Sequence, residues 1–80
     1  MHELSLAHKI LETVRREAEK NGMRRVREVV VSHGGGAGYE PELVREAIGL
    51  LQADSLVSEA KITFTPGDGL DFRIERIIGE

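Results

Sequence analysis

Ala60-Lys61-Ile62-Thr63-Phe64-Thr65-Pro66-Gly67-Asp68-Gly69-Leu70-Asp71-Phe72-Arg73-Ile74-Glu75 is the stretch on which the fold turns. Before Pro66, the residues Ala60, Ile62 and Phe64 alternate with Lys61, Thr63 and Thr65. After Gly69, the residues Leu70, Phe72 and Ile74 alternate with Asp71, Arg73 and Glu75. Successive side chains of a strand point to opposite faces, so each run is a strand with one buried face. Pro66-Gly67-Asp68-Gly69 carries turn chemistry. Two such runs across a turn predict a β-hairpin.

Working outward, Val26, Val29, Val30 and Val31 are β-branched and follow a turn signal. A strand is expected from about Arg25 to Ser32, apolar on both faces at its end, as suits a strand covered by a helix. Leu4, Ala7, Ile10, Leu11, Val14 and Ala18 recur at spacings of three and four. That is one apolar face of a helix running from about Ser5 to Lys20 and stopped by Asn21-Gly22. Glu12 and Arg16 are spaced for an i,i+4 ion pair worth roughly 0.3 kcal/mol. Glu3 complements the positive end of the helix dipole. Pro41 suits a first helical turn, and Leu43, Val44, Ala47, Ile48 and Leu51 give a second amphipathic helix to about Gln52. The order helix-strand-helix-strand-strand predicts a two-layer α+β fold. It is a three-stranded sheet packed by two helices, one domain over residues 1–80.

At 80 residues, a chain of this size buries roughly 60% of the surface its unfolded form exposes and has one modest core. Tyr39, Phe64 and Phe72 are the only aromatics, so that core is aliphatic. Eleven basic against 14 acidic residues give a net charge of −3, which argues against nucleic acid as a partner. There is no cysteine, hence no disulfide, thiolate zinc site or thiol nucleophile. No stretch has the apolar core of a signal peptide or approaches about 18 apolar residues, so a cytoplasmic protein with no membrane partner is expected. Gly34-Gly35-Gly36-Ala37-Gly38 lacks the Gly-Lys-Ser/Thr ending of a phosphate loop and reads as a connection. No constellation of nucleophile, base and orienting group stands out, so the chain is not read as an enzyme.

Met1-His2-Glu3 carries the most specific chemistry. The Met1 amine, the backbone nitrogen of His2 and the His2 imidazole can close two fused chelate rings around one metal ion. A deprotonated amide is a strong in-plane donor and suits square-planar Ni(II) or Cu(II). The fourth corner is open to the Glu3 amide nitrogen, the Glu3 carboxylate or another imidazole. The bulky His2 is a poor context for removal of Met1. Neutral imidazole is required, so affinity should fall as pH drops through about 6.5.

Met1-His2-Glu3-Leu4-Ser5-Leu6-Ala7 resembles the start of the HypA family, the nickel-incorporation metallochaperones of hydrogenase and urease maturation. Tyr39-Glu40-Pro41-Glu42-Leu43-Val44 resembles the opening of that family's second helix. Ser55-Leu56-Val57-Ser58-Glu59-Ala60-Lys61-Ile62 resembles its run into the second strand. Gly67-Asp68-Gly69-Leu70 with Phe72-Arg73-Ile74-Glu75 resembles its last strand. The resemblance implies the same fold and nickel as transient cargo. It implies His2 as principal ligand, with Glu3 as the second residue of the motif. It further implies as partners a nickel-handling GTPase, the large subunit of a nickel-iron hydrogenase, or urease accessory proteins. The family also carries a zinc domain with two C-x-x-C pairs between its last two strands. Here a turn near residues 65–69 stands in that place, and no zinc is expected.

Three further features have two readings each. His8 reads as a solvated surface histidine, with an added ligand as the alternative. His33 reads as a partly buried, hydrogen-bonded histidine; service as a ligand requires the strand end to approach the N-terminus. Arg15, Arg16, Lys20, Arg24, Arg25 and Arg27 interleave with Glu12, Glu17, Glu19 and Glu28. They form an ion-paired face or a docking surface for an acidic protein. A competing function is a metal-free interaction module on the same fold, favoured by the missing cysteines. Exposed strand edges leave a homodimer open.

Overall fold

A computed structural model describes residues 2–34, 40–52, 56–69 and 72–80, apart from the side chain of His2. The elements are α1 (His2–Lys20), β1 (Val26–Gly34), α2 (Pro41–Leu51), β2 (Lys61–Gly67) and β3 (Phe72–Gly79). The expected order and two-layer architecture are present. The Gly35–Gly38 part of the glycine run lies outside the described residues.

Helix α1 starts three residues earlier than the apolar pattern predicts and ends where expected. Its end is a Schellman motif: the Met23 amide donates to the Ala18 carbonyl and the Gly22 amide to the Glu19 carbonyl. Gly22 has φ +71°, the left-handed conformation that the motif requires and that a Cβ disfavours. Glu12 pairs with Arg15 at 2.5 Å, one residue short of the predicted Arg16 partner, because i,i+3 neighbours on a helix are equally close. Pro41 opens α2, as predicted.

The hairpin is not formed. The strand order is β2-β1-β3, with β1 parallel to β2 and antiparallel to β3. Alternation sets which face of a strand is buried, but not which strand it pairs with. The centre goes to the strand able to be buried on both faces. In β1, Val29 and Val31 face the helices and are fully buried, while Val30 lies on the other face and is 9% exposed. The outer strands carry edge residues: Lys61 and Pro66 in β2, Arg73, Glu75 and Arg76 in β3. Strand β2 also runs on through Pro66 and Gly67, where a turn is predicted.

Both helices cover one face. Ala7, Ile10, Val14 and Ala18 of α1 and Val44, Ala47 and Ile48 of α2 meet Val29, Val31 and Ile62 in one core. Val57 and Leu56, in the turn before β2, complete it. The Gln52 side-chain amide fastens that turn by donating to the Val57 carbonyl at 2.7 Å. The open face is polar: Thr63 donates to Glu28 at 2.7 Å and Ser32 to Glu75 at 3.1 Å. A bulge between the pairs Val30–Arg76 and Val31–Ile74 leaves Glu75 unpaired in β3. It shifts the inward positions from Phe72 and Ile74 to Ile77, which the simple alternation did not foresee. Gly34 passes so close to the Gly69 carbonyl that a Cβ on Gly34 would collide with it.

Candidate metal centre

Helix α1 begins at His2. The first four N–H groups of a helix have no acceptor within it. The backbone nitrogens of His2 and Glu3 belong to that first turn, so no helical hydrogen bond must break for them to bind a metal. Their deprotonated forms are anionic, and the positive end of the helix dipole stabilises negative charge. Glu3 is the acidic residue of the first turn and is half-buried. Met1 and the His2 side chain, the other two expected ligands, lie outside the described residues. Among the described residues, no three His, Asp or Glu side chains gather as a metal cage.

His8 is exposed on α1, as a solvated histidine should be. His33 is half-buried near the end of β1, on the helix-covered face. Its Nδ1 lies 3.0 Å from the Gly34 carbonyl oxygen. Its ring stacks on Phe72 with centroids 5.0 Å apart and planes 1° from parallel. Phe72 meets Phe64 edge-on at 6.0 Å, and the Arg45 guanidinium lies 5.2 Å from the centre of the Phe64 ring. This cluster escaped sequence reading. The signal for it was the register, which sets His33 opposite Phe72, and register follows only once β1 is known to pair with β3.

The cluster and the start of α1 share one end of the molecule. A 19-residue helix is about 28 Å long and a nine-residue strand about 30 Å. The longest extent of the molecule is 34 Å, so both elements run its length. They are joined by the short reversal through Asn21–Arg25, so the start of α1 and the end of β1 lie at the same end. The basic stretch lies toward the other end. There Arg25 pairs with Glu80 at 2.8 Å, and Arg27 reaches the same carboxylate at 3.7 Å. The hydrogen bond from Arg25, then the charges of Arg27 and Arg25, hold the Glu80 carboxyl below the usual range.

Residues 1–70 match the family described as hydrogenase/urease nickel incorporation, metallochaperone, HypA. The chain belongs to the HypA family. It is 34% identical over 62 residues to the hydrogenase maturation factor HypA of Wolinella succinogenes, covering 78% of this chain and 52% of that protein. It is 32% identical over 69 residues to the HypA of Rhodopseudomonas palustris, covering 84% of this chain and 61% of that one. The chain thus spans about half to three-fifths of the length of these curated HypA relatives. The solution structure of the Ni metallochaperone HypA from Helicobacter pylori superposes with a TM-score of 0.75 at 20% identity. It matches over 92% of this chain and 70% of that one, a likeness of fold. A second HypA solution structure gives 0.69 at 25% identity, over 82% and 56% of the two chains. The HypA match runs from α1 through β2 and stops before β3.

Proposed function

We propose that this chain holds one Ni(II) ion at the start of α1 and passes it to a protein acceptor by ligand exchange. The observation that carries the reading is the helix start at His2, which leaves the backbone nitrogens of His2 and Glu3 free for a metal. Met1 supplies its amine, His2 its amide nitrogen and imidazole, and Glu3 an amide nitrogen or carboxylate. Amide and imidazole nitrogens in a plane are the donor set Ni(II) favours. A square-planar ion at a chain terminus is open above and below. An incoming ligand binds before an outgoing one leaves, so the ion transfers without being stripped bare. This is binding and delivery, not catalysis.

The acceptor belongs to the nickel-handling GTPases, hydrogenase large subunits or urease accessory proteins of the cytoplasm. A short β2–β3 connection stands where the family carries its zinc domain, so the proposal concerns nickel binding and hand-over by this domain and not the full activity of the longer relatives. Family membership and the free nitrogens of the first turn support this reading.

The test is Ni(II) titration of untagged protein beginning at Met1, followed by calorimetry and visible absorption, beside His2→Ala. One equivalent should bind with a square-planar d–d band that is lost in His2→Ala. No binding, or binding unchanged by His2→Ala, would leave a metal-free interaction module as the better description.

A further inference from the structure

We infer that the outer edge of β3 pairs with the β3 of a second copy of this chain, antiparallel, about a twofold axis that sets Glu75 opposite the partner's Arg76. The inference does not rest on the nickel reading: β3 lies beyond the residues of the HypA match and carries none of the proposed ligands.

The sheet order is β2-β1-β3, and among the described residues no strand lies outside β3. Such an edge presents a row of unpaired N–H and C=O groups. The opposite edge, on β2, is interrupted by Pro66, which has no N–H to give. Strand β3 runs eight residues without a proline. Its protection is of another kind: the bulge at Glu75 and the charges of Arg73, Glu75 and Arg76. Both devices normally turn an approaching strand away.

Here they fit one partner. Residues directly opposed in an antiparallel pair put their side chains on the same face. In a regular strand, residues three apart lie on opposite faces. The bulge adds a residue, so Ile74 and Ile77 share the helix side, while Arg73, Arg76 and Ile78 share the open side. A second copy can therefore oppose its Ile77 to Ile74, its Ile78 to Arg73 and its Arg76 to Glu75, with every face matched across both bulges. The twofold axis makes each of these pairs twice. The next register that matches faces opposes Arg73 to the partner's Arg76 and Ile74 to the partner's Glu75, which repels and buries a charge against an apolar chain. The charges thus select one register.

The groups are available for it. Arg73 and Arg76 form no ion pair among the described residues. Glu75 accepts from the Ser32 hydroxyl on one carboxylate oxygen, 3.1 Å away, and keeps the other for the partner's Arg76. A groove of about 530 Å³ follows this edge, between Ile74 and Ile77 and the Thr13, Glu17 and Asn21 side of α1. Both isoleucines are only half-buried, and the partner's pair arrives beside them at a strand spacing of about 5 Å. Ile78, 38% exposed on the open face, gains the aliphatic stem of the partner's Arg73. The product is a six-stranded sheet whose two copies run in opposite directions, so the two starts of α1 stand at opposite ends. One eight-residue edge belongs with the small interfaces, under about 1,200 Å², so the dimer should dissociate on dilution.

The experiment is sedimentation velocity over a concentration series on wild type, Glu75→Arg, Arg76→Glu and the double exchange, with thermal melting of each. Wild type should pass from monomer to dimer as concentration rises. Each single reversal opposes like charges twice and should weaken the dimer by about tenfold or more; the double exchange should restore it. The chain has no cysteine, so the register can be read directly. Arg73→Cys and Ile78→Cys chains, mixed and mildly oxidised, should form the mixed disulfide in excess over either self-linked product, because opposed Cα atoms lie about 4.5–5.5 Å apart. Wild type that stays monomeric at millimolar concentration would overturn the inference. So would a dimer indifferent to both charge reversals, or one in which the two cysteine chains do not link; the contact would then lie on another face. If a charge reversal fails to melt cooperatively, the cysteine pair decides alone.

Discussion

Where β1 begins, the chain is tied down on every side: the Arg24 and Arg25 amides donate to the Glu80 carbonyl, and the Glu80 amide donates back to Arg25. The Schellman turn closes α1 there, and Val26 takes the Leu56 carbonyl at 2.9 Å. Where β1 ends, α1 and α2 both begin. Helix starts carry unpaired amides, and the Glu40 side chain forms no cap on α2. One end is tied together by backbone hydrogen bonds between α1, β1 and the C-terminal residue, and the other opens on the starts of the two helices.

Substitutions at the tied end should lower stability and spare nickel binding. The largest effect is expected for Gly79→Ala. A Cβ there would collide with the Arg25 carbonyl oxygen and sit 2.9 Å from Met23 Sδ. Overpacking of this kind costs about 1–3 kcal/mol, read as a lower urea midpoint with unchanged nickel stoichiometry. If nickel affinity fell as steeply as stability, the separation between the ends would be wrong. Gly22→Ala is next. It has open space for a Cβ but a φ of +71°, so a penalty of about 1 kcal/mol or slightly more should appear in the same denaturation curves.

The smallest effect concerns Glu80. Its carboxyl is held below the usual range in the folded protein. The sign follows: the pairing stabilises the fold above the unfolded-state carboxylate value and is lost as pH falls through the lower folded value. Both partners are exposed, so the gain is minor. Glu80→Gln should flatten the acid limb of the melting-temperature profile slightly, while leaving the neutral region almost level. A large drop at neutral pH would mean that the pair matters far more than exposure allows.

Both helices were legible because a 3.6-residue period survives in each, with Asn21-Gly22 closing α1 and Pro41 opening α2. Strand positions were legible too, since Ile62 and Phe64, or Phe72 and Ile74, alternate cleanly. Pairing was not, because alternation is a property of one strand and neighbours are chosen by the whole sheet. The three consecutive valines of β1 held the missing information: Val30 is buried on the face away from the helices, which suits a central strand. The bulge at Glu75 was hidden for the same reason, being a relation between two strands. Of the candidate site, Met1-His2-Glu3 is a reading of residue chemistry, and of its three residues only Glu3 has a described side chain. His33 could be singled out by type, but its stacking on Phe72 depends on a register that only the folded sheet supplies.

Parallel pairing of β1 with β2 has a geometric consequence. Strand β2 finishes beside Gly34 on one edge of β1, and β3 starts beside His33 on the other. Past β2, the carbonyls of Asp68 and Gly69 pass close to Gly34 at the tip of the central strand, and the two outer strands stand two strand spacings apart, or about 10 Å. The bare Cα of Gly34 provides the clearance beneath the Gly69 carbonyl. Anything spliced in between β2 and β3 would leave and rejoin the fold on either side of the tip of β1. It would stand as a porch over the doorway where α1 starts, without disturbing a single rung of the sheet.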